Sequence, residues 1–154
     1  MIRIAYLASM KRMLGWLWAL PITLLGLAYV FVFSLFGWYS VVGLVDDSLV
    51  WQVNENKCPE QLRKLWSGWL GHTVGNVVVL RESIETNPTT FVHEAQHVRQ
   101  CMRMGIFQPI AYGLCLLFVY WGCPSSNVYY DNPFEIDARR GAGQVVDIRK
   151  GRTL

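Results

Sequence analysis

Charged residues and cysteines are both scarce in this sequence. Only 16% of its 154 residues are Asp, Glu, Lys or Arg, and the net charge of +3 is small and scattered. A nucleic-acid-binding surface needs concentrated positive charge, so no nucleic-acid partner is expected. The four cysteines have no Cys-x-x-Cys spacing, which excludes a paired-thiolate metal motif but is compatible with a disulfide. These cysteines are Cys58, Cys101, Cys115 and Cys123.

The first third of the chain contains a long segment without charge. No Asp, Glu, Lys or Arg occurs from Met13 to Val45. A helix needs about 20 apolar residues to cross the hydrocarbon core of a membrane, and Leu14 to Phe36 supplies them, so the sequence predicts a transmembrane helix. A cleaved signal peptide is the alternative, but the apolar run is too long and ends without a small-x-small cleavage site. An uncleaved signal anchor is therefore expected.

The charges that flank this segment predict its orientation. Positive residues precede it, whereas Asp46 and Asp47 follow it. Because positive flanks stay on the cytoplasmic side, we expect a single-pass membrane protein with a cytoplasmic N-terminus and an extracytoplasmic domain. The predicted organisation is an anchor over residues 1–45, a domain over 46–140 and a basic tail over 141–154.

Beyond the anchor, local patterns predict two strands and three helices. The β-branched run Asn76–Leu80 is typical of a strand, and Ser48–Val53 alternates weakly like a second one. Asn followed by Pro is a favourable helix start, and this pair begins two of the helices. The predicted helices are Pro59–Leu70, Asn87 to Met104 with closure at Gly105, and Asn132 to about Arg140. The fold class expected from these elements is α+β.

The predicted helix from Asn87 carries the motif His93-Glu94-Ala95-Gln96-His97. Residues four apart share one face of a helix, so both histidines can direct an imidazole nitrogen at one zinc ion, at about 2.0 to 2.1 Å. Glu94 lies beside this face, where it can take a proton from a metal-activated water and pass it to a leaving amine. The chain has only three histidines, so a chance occurrence of the motif is improbable.

A catalytic zinc site needs a third protein ligand and an open position for water. Glu135 is the preferred candidate, because it begins the last predicted helix and can approach the metal from a second rigid element. Asp131, Asp137 and His72 are the other candidates, and Asp137 can alternatively orient a liganding histidine. Glu135 also fits two purely structural roles: a capping box at the helix start and an i, i+4 surface pair with Arg139.

The stretches His93-Glu94-Ala95-Gln96-His97-Val98-Arg99-Gln100 and Tyr130-Asp131-Asn132-Pro133-Phe134-Glu135-Ile136-Asp137-Ala138 together carry a resemblance. They resemble the small gluzincin-type metallopeptidase domains of bacteria and their phages, over roughly Thr73 to Arg140. Such a domain combines a short sheet with an active-site helix and a later helix that carries a glutamate. The resemblance therefore implies a zincin-like fold.

The same resemblance implies roles for individual residues. His93, His97 and Glu135 would bind zinc, and Glu94 would be the general base. The sequence departs from the thermolysin pattern at Arg139, which stands where that pattern has an aspartate.

Two further expectations concern the substrate. The strand Asn76–Leu80 matches the position at which gluzincin-like folds keep an edge strand that holds an extended peptide, although an ordinary buried strand fits equally well. Tyr129, Tyr130 and His72 are candidates to stabilise the oxyanion, and the sequence does not rank them.

A second apolar stretch runs from Ile106 to Cys123. It is long enough to cross a membrane, but a straight crossing would place His97 and Glu135 on opposite sides. We therefore expect a core helix, a membrane-resting helix or a re-entrant hairpin within residues 106–123.

Two functions follow from the sequence. The leading hypothesis is a zinc-dependent endopeptidase near a membrane surface, with a protein or peptide substrate and membrane lipid as partners. The alternative is a non-enzymatic membrane or phage structural protein in which the HExxH motif is fortuitous or degenerate.

Overall fold

The protein has an α+β fold with one long N-terminal helix and a small four-stranded sheet. The computed structural model describes residues 2–122, 127–144, 146–147 and 152–153. Its helices are α1 (Ile2–Leu35), α2 (Glu60–Leu65), α3 (Pro88–Met104), α4 (Phe107–Gly122) and α5 (Pro133–Gly141). Its strands are β1 (Tyr39–Val45), β2 (Ser48–Val53), β3 (Gly71–Val74), β4 (Val77–Leu80), β5 (Val146–Asp147) and β6 (Arg152–Thr153).

The main sheet has the strand order β1-β2-β4-β3. β1 and β2 form an antiparallel hairpin, β2 and β4 run parallel, and β3 returns antiparallel to β4. The expectation that Asn76–Leu80 is an edge strand is wrong, because β4 pairs with a strand on each side. All four residues of β4 are buried, and such a continuous apolar run is typical of a central strand. β3 is the edge strand on this side of the sheet.

Several predicted elements are confirmed, and two strands of the main sheet were not predicted. β2, α3 and α5 lie where the sequence indicated. The helix predicted over Pro59–Leu70 ends early, at Leu65. The unpredicted strand β3 begins at Gly71. β1 lies within the uncharged stretch that was assigned to the anchor. It turns into β2 at Asp46, whose φ of 52° is left-handed.

The two faces of the sheet bury different helices. Val77 and Val79 of β4 belong to a cluster with Val30 of α1 and Trp66 after α2. Val78 and Leu80 point to the opposite face, where they pack with buried residues of α3. This alternation follows from the two-residue period of a strand, and it fixes α3 firmly against the sheet.

α1 is long and apolar enough to cross a membrane over Ser9–Leu35, and only 22% of its most apolar stretch is buried. Core helices and signal sequences share this length and composition. Small residues allow one face of α1 to pack closely on the domain: a side chain at Gly26 would collide with the Val74 carbonyl oxygen, and Ala19 is fully buried. The hydroxyl of Thr23 is hydrogen-bonded to Asn76. α1 is thus an integral layer of the fold.

Two remaining expectations fall partly outside the described residues. Cys58, Cys101 and Cys115 are free thiols, whereas Cys123 lies outside the part that the structure describes. In the predicted basic tail, β5 and β6 pair antiparallel, and residues 148–151 are not among those described.

Candidate metal centre

Local capping positions α3. The Asn87 side chain accepts a hydrogen bond from the Thr90 amide at 3.2 Å, with Pro88 at the first helical position. α3 ends at Gly105, whose φ of 57° suits glycine. Phe91, Ala95 and other apolar residues of α3 bury their side chains against the sheet. A neighbouring face of the helix therefore carries His93 and His97 together, as the spacing predicted.

The start of α5 places Glu135 opposite this pair of histidines. The Asn132 side chain caps α5 by accepting from the Phe134 amide at 3.0 Å. The carboxylate of Glu135 is instead directed at the two histidine rings of α3. Glu135 therefore does not act in a capping box, which was one of the roles that the sequence allowed.

The three side chains converge on one point. Glu135 Oε2 lies 3.3 Å from His93 Nε2, Glu135 Oε1 lies 3.2 Å from His97 Nε2, and the two Nε2 atoms are 3.3 Å apart. Ligand atoms at about 2.05 Å from a tetrahedral ion are separated by about 3.3 Å. Each Nε2 atom therefore lies about one tetrahedral ligand–ligand separation from the other Nε2 atom and from one oxygen of Glu135, which suits a shared metal ion.

The bonding of these atoms also fits a cation. The Glu135 side chain is only 3% exposed, and its Oε2 has no hydrogen-bond partner among the described residues. A buried oxygen without a partner is costly, and a metal ion would satisfy it. The buried group His93, His97 and Glu135 can thus hold a metal ion.

Gln100 sets the tautomer of His97. Its Nε2 atom donates to Asp137 Oδ2 at 2.8 Å and to the Phe134 carbonyl at 3.0 Å, so its Oε1 must face the His97 ring. His97 Nδ1 lies 2.8 Å from this oxygen and must carry the proton. In the neutral ring the lone pair is then on Nε2, the atom that faces Glu135, as metal ligation requires.

Asp137 therefore acts on the histidine through an intermediate residue. The sequence indicated that Asp137 could orient a histidine directly, whereas the structure places Gln100 between them. Hydrogen bonds from Gln100 and Gln96 lower the pKa of Asp137, which keeps it anionic. Gln100 was missed, although its position three residues after His97 on the same helix was a readable signal.

Charge couples Glu135 to the histidines. Burial acts to raise the pKa of Glu135, but its contacts with His93 and His97 outweigh burial and lower the pKa well below its usual range. Burial likewise acts to lower the pKa of His97, and Glu135 outweighs it so that the pKa is raised. Glu135 is therefore an anion, which favours a cation at this point.

Glu94 lies beside the group and is held by β3. Its Oε2 accepts a hydrogen bond from the Thr73 hydroxyl at 2.7 Å, and a side chain at Gly71 would be in tight contact with the Glu94 side chain. Burial raises the pKa of Glu94. The Glu94 carboxylate thus lies next to His93, His97 and Glu135 but is not part of the group that could hold a metal ion.

Arg139 occupies the position where the thermolysin pattern has an aspartate. Its guanidinium stacks on the rings of Tyr130 and Tyr129 and donates to the Tyr130 carbonyl at 2.8 Å. Its Nη2 lies 3.5 Å from Glu135 Oε2. The i, i+4 pair that the sequence suggested therefore exists, but it is buried rather than on the surface.

Two tyrosines flank Glu135. The hydroxyl of Tyr112, on α4, donates to Glu135 Oε1 at 2.9 Å. Burial raises the pKa of Tyr112 and of Tyr129, and the charge of Glu135 adds to both shifts. Both phenols therefore keep their protons and remain hydrogen-bond donors. Tyr112 was missed, because only the bend between α3 and α4 brings it back to the site.

The other candidates have different surroundings. His72 Nε2 lies 3.0 Å from the Tyr29 hydroxyl, and burial lowers the pKa of His72 to about 4. Asp131 Oδ2 accepts from the Asn127 amide in the turn before α5. Tyr130 packs against Arg139. The structure thus does not bring His72, Asp131 or Tyr130 into the converging group.

A cavity of about 550 Å³ lies over the group, between β3 and α4. Glu94, His97, Tyr112, Tyr129 and Glu135 line it, together with Trp69, His72, Leu116 and other residues. The sequence matches no protein-family model, and no curated protein or solved structure matches the chain. The residues around this cavity are therefore the basis for assigning a function.

Proposed function

We propose that this chain is a zinc-dependent endopeptidase attached to a membrane. The observation that carries the proposal is the convergence of His93, His97 and Glu135 at mutual distances of 3.2 to 3.3 Å, with Glu94 beside them in a cavity. Two imidazoles and one carboxylate are a common protein ligand set of catalytic zinc, which leaves the fourth position open. Zinc is therefore the ion that the site fits best.

Different residues of the chain have different roles in the proposed hydrolysis. When bound, zinc supplies a Lewis acid that polarises a carbonyl and lowers the pKa of water to about 7. Glu94 accepts a proton from the attacking water and delivers it to the leaving amine, while Thr73 fixes the carboxylate. Tyr129 keeps its proton beside the site and is the candidate to stabilise the oxyanion as it forms, since the single hydroxyl proton of Tyr112 is donated to Glu135.

The arrangement of elements supports the resemblance noted in the sequence. A short sheet with an edge strand, a helix with the two histidines, and a later helix with the glutamate occur in the order of a gluzincin-type domain. Since β4 is central, β3 is the strand that can hold an extended peptide. A zincin-like fold remains part of the proposal.

The exposed face of α1 supports membrane attachment. Large apolar side chains cover this face, while small residues face the domain, which is the pattern of helix packing in lipid. Lys11 near its N-terminal end favours a cytoplasmic N-terminus. Asp47 does not flank the other end of α1, as the sequence suggested, because β1 returns it to Arg12, with which it forms an ion pair. Exposed side chains of this face include Leu14, Leu17, Leu20, Leu24, Leu25, Phe31, Val32 and Leu35.

The decisive experiment is the substitution Glu94→Gln in the detergent-solubilised full chain with zinc. A glutamine cannot accept a proton, so hydrolysis of a labelled unstructured protein should fall at least about 100-fold while zinc remains bound. Glu85→Gln, the same change at an exposed glutamate, is the matched control and should be fully active.

Two outcomes would decide against the proposal. Unchanged hydrolysis in Glu94→Gln would remove Glu94 from the mechanism. A wild-type protein that binds zinc and hydrolyses nothing would favour the alternative of a non-enzymatic membrane protein, for which the exposed apolar helices are the functional part.

A further inference from the structure

α4 has two chemically different sides. Gln108, Tyr112 and Leu116, spaced four residues apart, line the cavity over the metal centre. The opposite side is exposed and apolar, and α4 has no buried residue between 107 and 122. This pattern does not fit a core helix. The outer residues are Phe107, Ile110, Leu114, Leu117, Phe118, Tyr120 and Trp121.

The apolar surfaces of α1 and α4 are continuous. The rings of Trp18 on α1 and Phe107 at the start of α4 lie 6.2 Å apart, and a side chain at Gly105 would collide with Trp18. No charged residue occurs between Arg103 and Asp131. A soluble protein rarely exposes so large an apolar surface, so lipid that contacts α1 extends onto α4.

The metal centre lies at the level of the middle of α1. Thr23, near the centre of the apolar stretch Ser9–Leu35, is hydrogen-bonded to Asn76 next to the turn between β3 and β4. Thr73 of β3 in turn holds Glu94. The domain therefore lies alongside α1, and the site is not held away from the lipid by a linker.

The cavity over the metal centre lies between β3 and the inner side of α4. β3 forms one wall and, within the described residues, pairs only with β4, so its other edge is open. α4 forms the facing wall. Irregular or unpaired backbone is tolerated at membrane depth only where it lines a cavity or is covered by protein, and the open edge of β3 meets this condition.

We propose that the substrate of this site is a membrane-inserted polypeptide segment, which passes from the lipid between α4 and β3 and pairs with the β3 edge in extended form. This inference rests on the proposed endopeptidase function. A bilayer concentrates an inserted segment next to α1 and α4, whereas a water-soluble peptide must first leave water. The apolar residues of the cavity, Trp69 and Leu116 among them, suit apolar side chains of such a segment.

The activity test uses the zinc-loaded full chain in phosphatidylcholine vesicles and two reporters with the same cleavable sequence. One reporter carries this sequence within a membrane-inserted helix, and the other is a short soluble peptide. Cleavage of the inserted reporter should be at least about tenfold faster at equal total concentration. Equal or faster cleavage of the soluble peptide overturns this inference and leaves the endopeptidase function intact. Failure to cleave either reporter overturns both.

A second measurement locates α4 without using activity. An environment-sensitive fluorophore is attached at Phe118→Cys, which replaces an outer residue of α4 that is 73% exposed, in a background without other cysteines. Arg99→Cys, at an exposed position of α3, is the matched control. We expect blue-shifted emission and quenching by lipids with spin-labelled chains only at position 118. Equal, water-like emission at both positions overturns the inference.

Discussion

α3 and α4 follow one another in the chain and reverse the usual relation between polarity and burial. α3 carries the polar site residues, and Glu94 and Gln100 are among its buried side chains. α4 is strongly apolar and buries none of its residues. The helices are separated by a bend of 113° after Met104.

The difference shows that the position of each helix depends on the partners that are available to its side chains. The polar groups of α3 are buried because each has a partner, such as Thr73 for Glu94 and Asp137 for Gln100. Among the residues that the structure describes, none covers the large apolar side chains on the outer side of α4. We therefore attribute the burial of the polar side chains of α3 to their hydrogen bonds within the site, and we propose that lipid covers the outer side of α4.

The strongest test of this comparison makes one substitution in both helices. Phe91 of α3 is 6% exposed, so Phe91→Ala should lower the free energy of unfolding in detergent by about 3 to 5 kcal/mol. Phe118→Ala on α4 should change it by less than about 0.5 kcal/mol. Chemical denaturation followed by circular dichroism measures both. A large loss in Phe118→Ala would mean that α4 packs against protein.

A smaller effect concerns the metal ion that we propose binds to the histidines of α3. Zinc at 100 times its dissociation constant should stabilise the wild type by about 2.7 kcal/mol, since the unfolded chain has no preformed site. His93→Ala and His97→Ala should lose this stabilisation, measured as the rise in Tm on adding zinc. His72→Ala, at the remaining histidine, should keep it. Stabilisation of both site variants by zinc would place the metal elsewhere.

The smallest effect separates Glu135 from Asp137. Asp137→Asn should weaken zinc binding by about 10 to 100-fold, because Asp137 reaches His97 only through Gln100. Glu135→Gln should weaken it further, since a neutral amide oxygen is a poor ligand for a divalent ion. Competition with a zinc chelator measures both affinities. Normal affinity in Glu135→Gln with reduced affinity in Asp137→Asn would show that Asp137 is the ligand.

Local signals in the sequence were sufficient for much of the site. The Asn-Pro starts of α3 and α5 and the spacing of His93 and His97 depend on neighbours within one or two turns. Glu135 was preferred because a zinc site needs a third ligand from a second rigid element, and the resemblance agreed with this role, which no local pattern distinguishes from a helix cap. The position of Gln100 was readable in the same way, but its partners on α5 were not.

The features that were missed depend on contacts between distant segments. Tyr112 reaches Glu135 only because the chain bends sharply between α3 and α4. β1 lies in an uncharged stretch that reads as membrane helix, and only its pairing with β2 identifies it. β3 follows a helical pattern that ends early, and its edge position depends on the order of all four strands.

The most direct test of the account is the zinc content of the purified full chain, measured by mass spectrometry of the metal after dialysis. The double variant His93→Ala/His97→Ala is measured beside the wild type, with circular dichroism to show that both are folded. The account predicts one zinc ion per wild-type chain and none in the double variant. A folded wild type without zinc that takes up none when zinc is supplied, or equal zinc in both proteins, would contradict it.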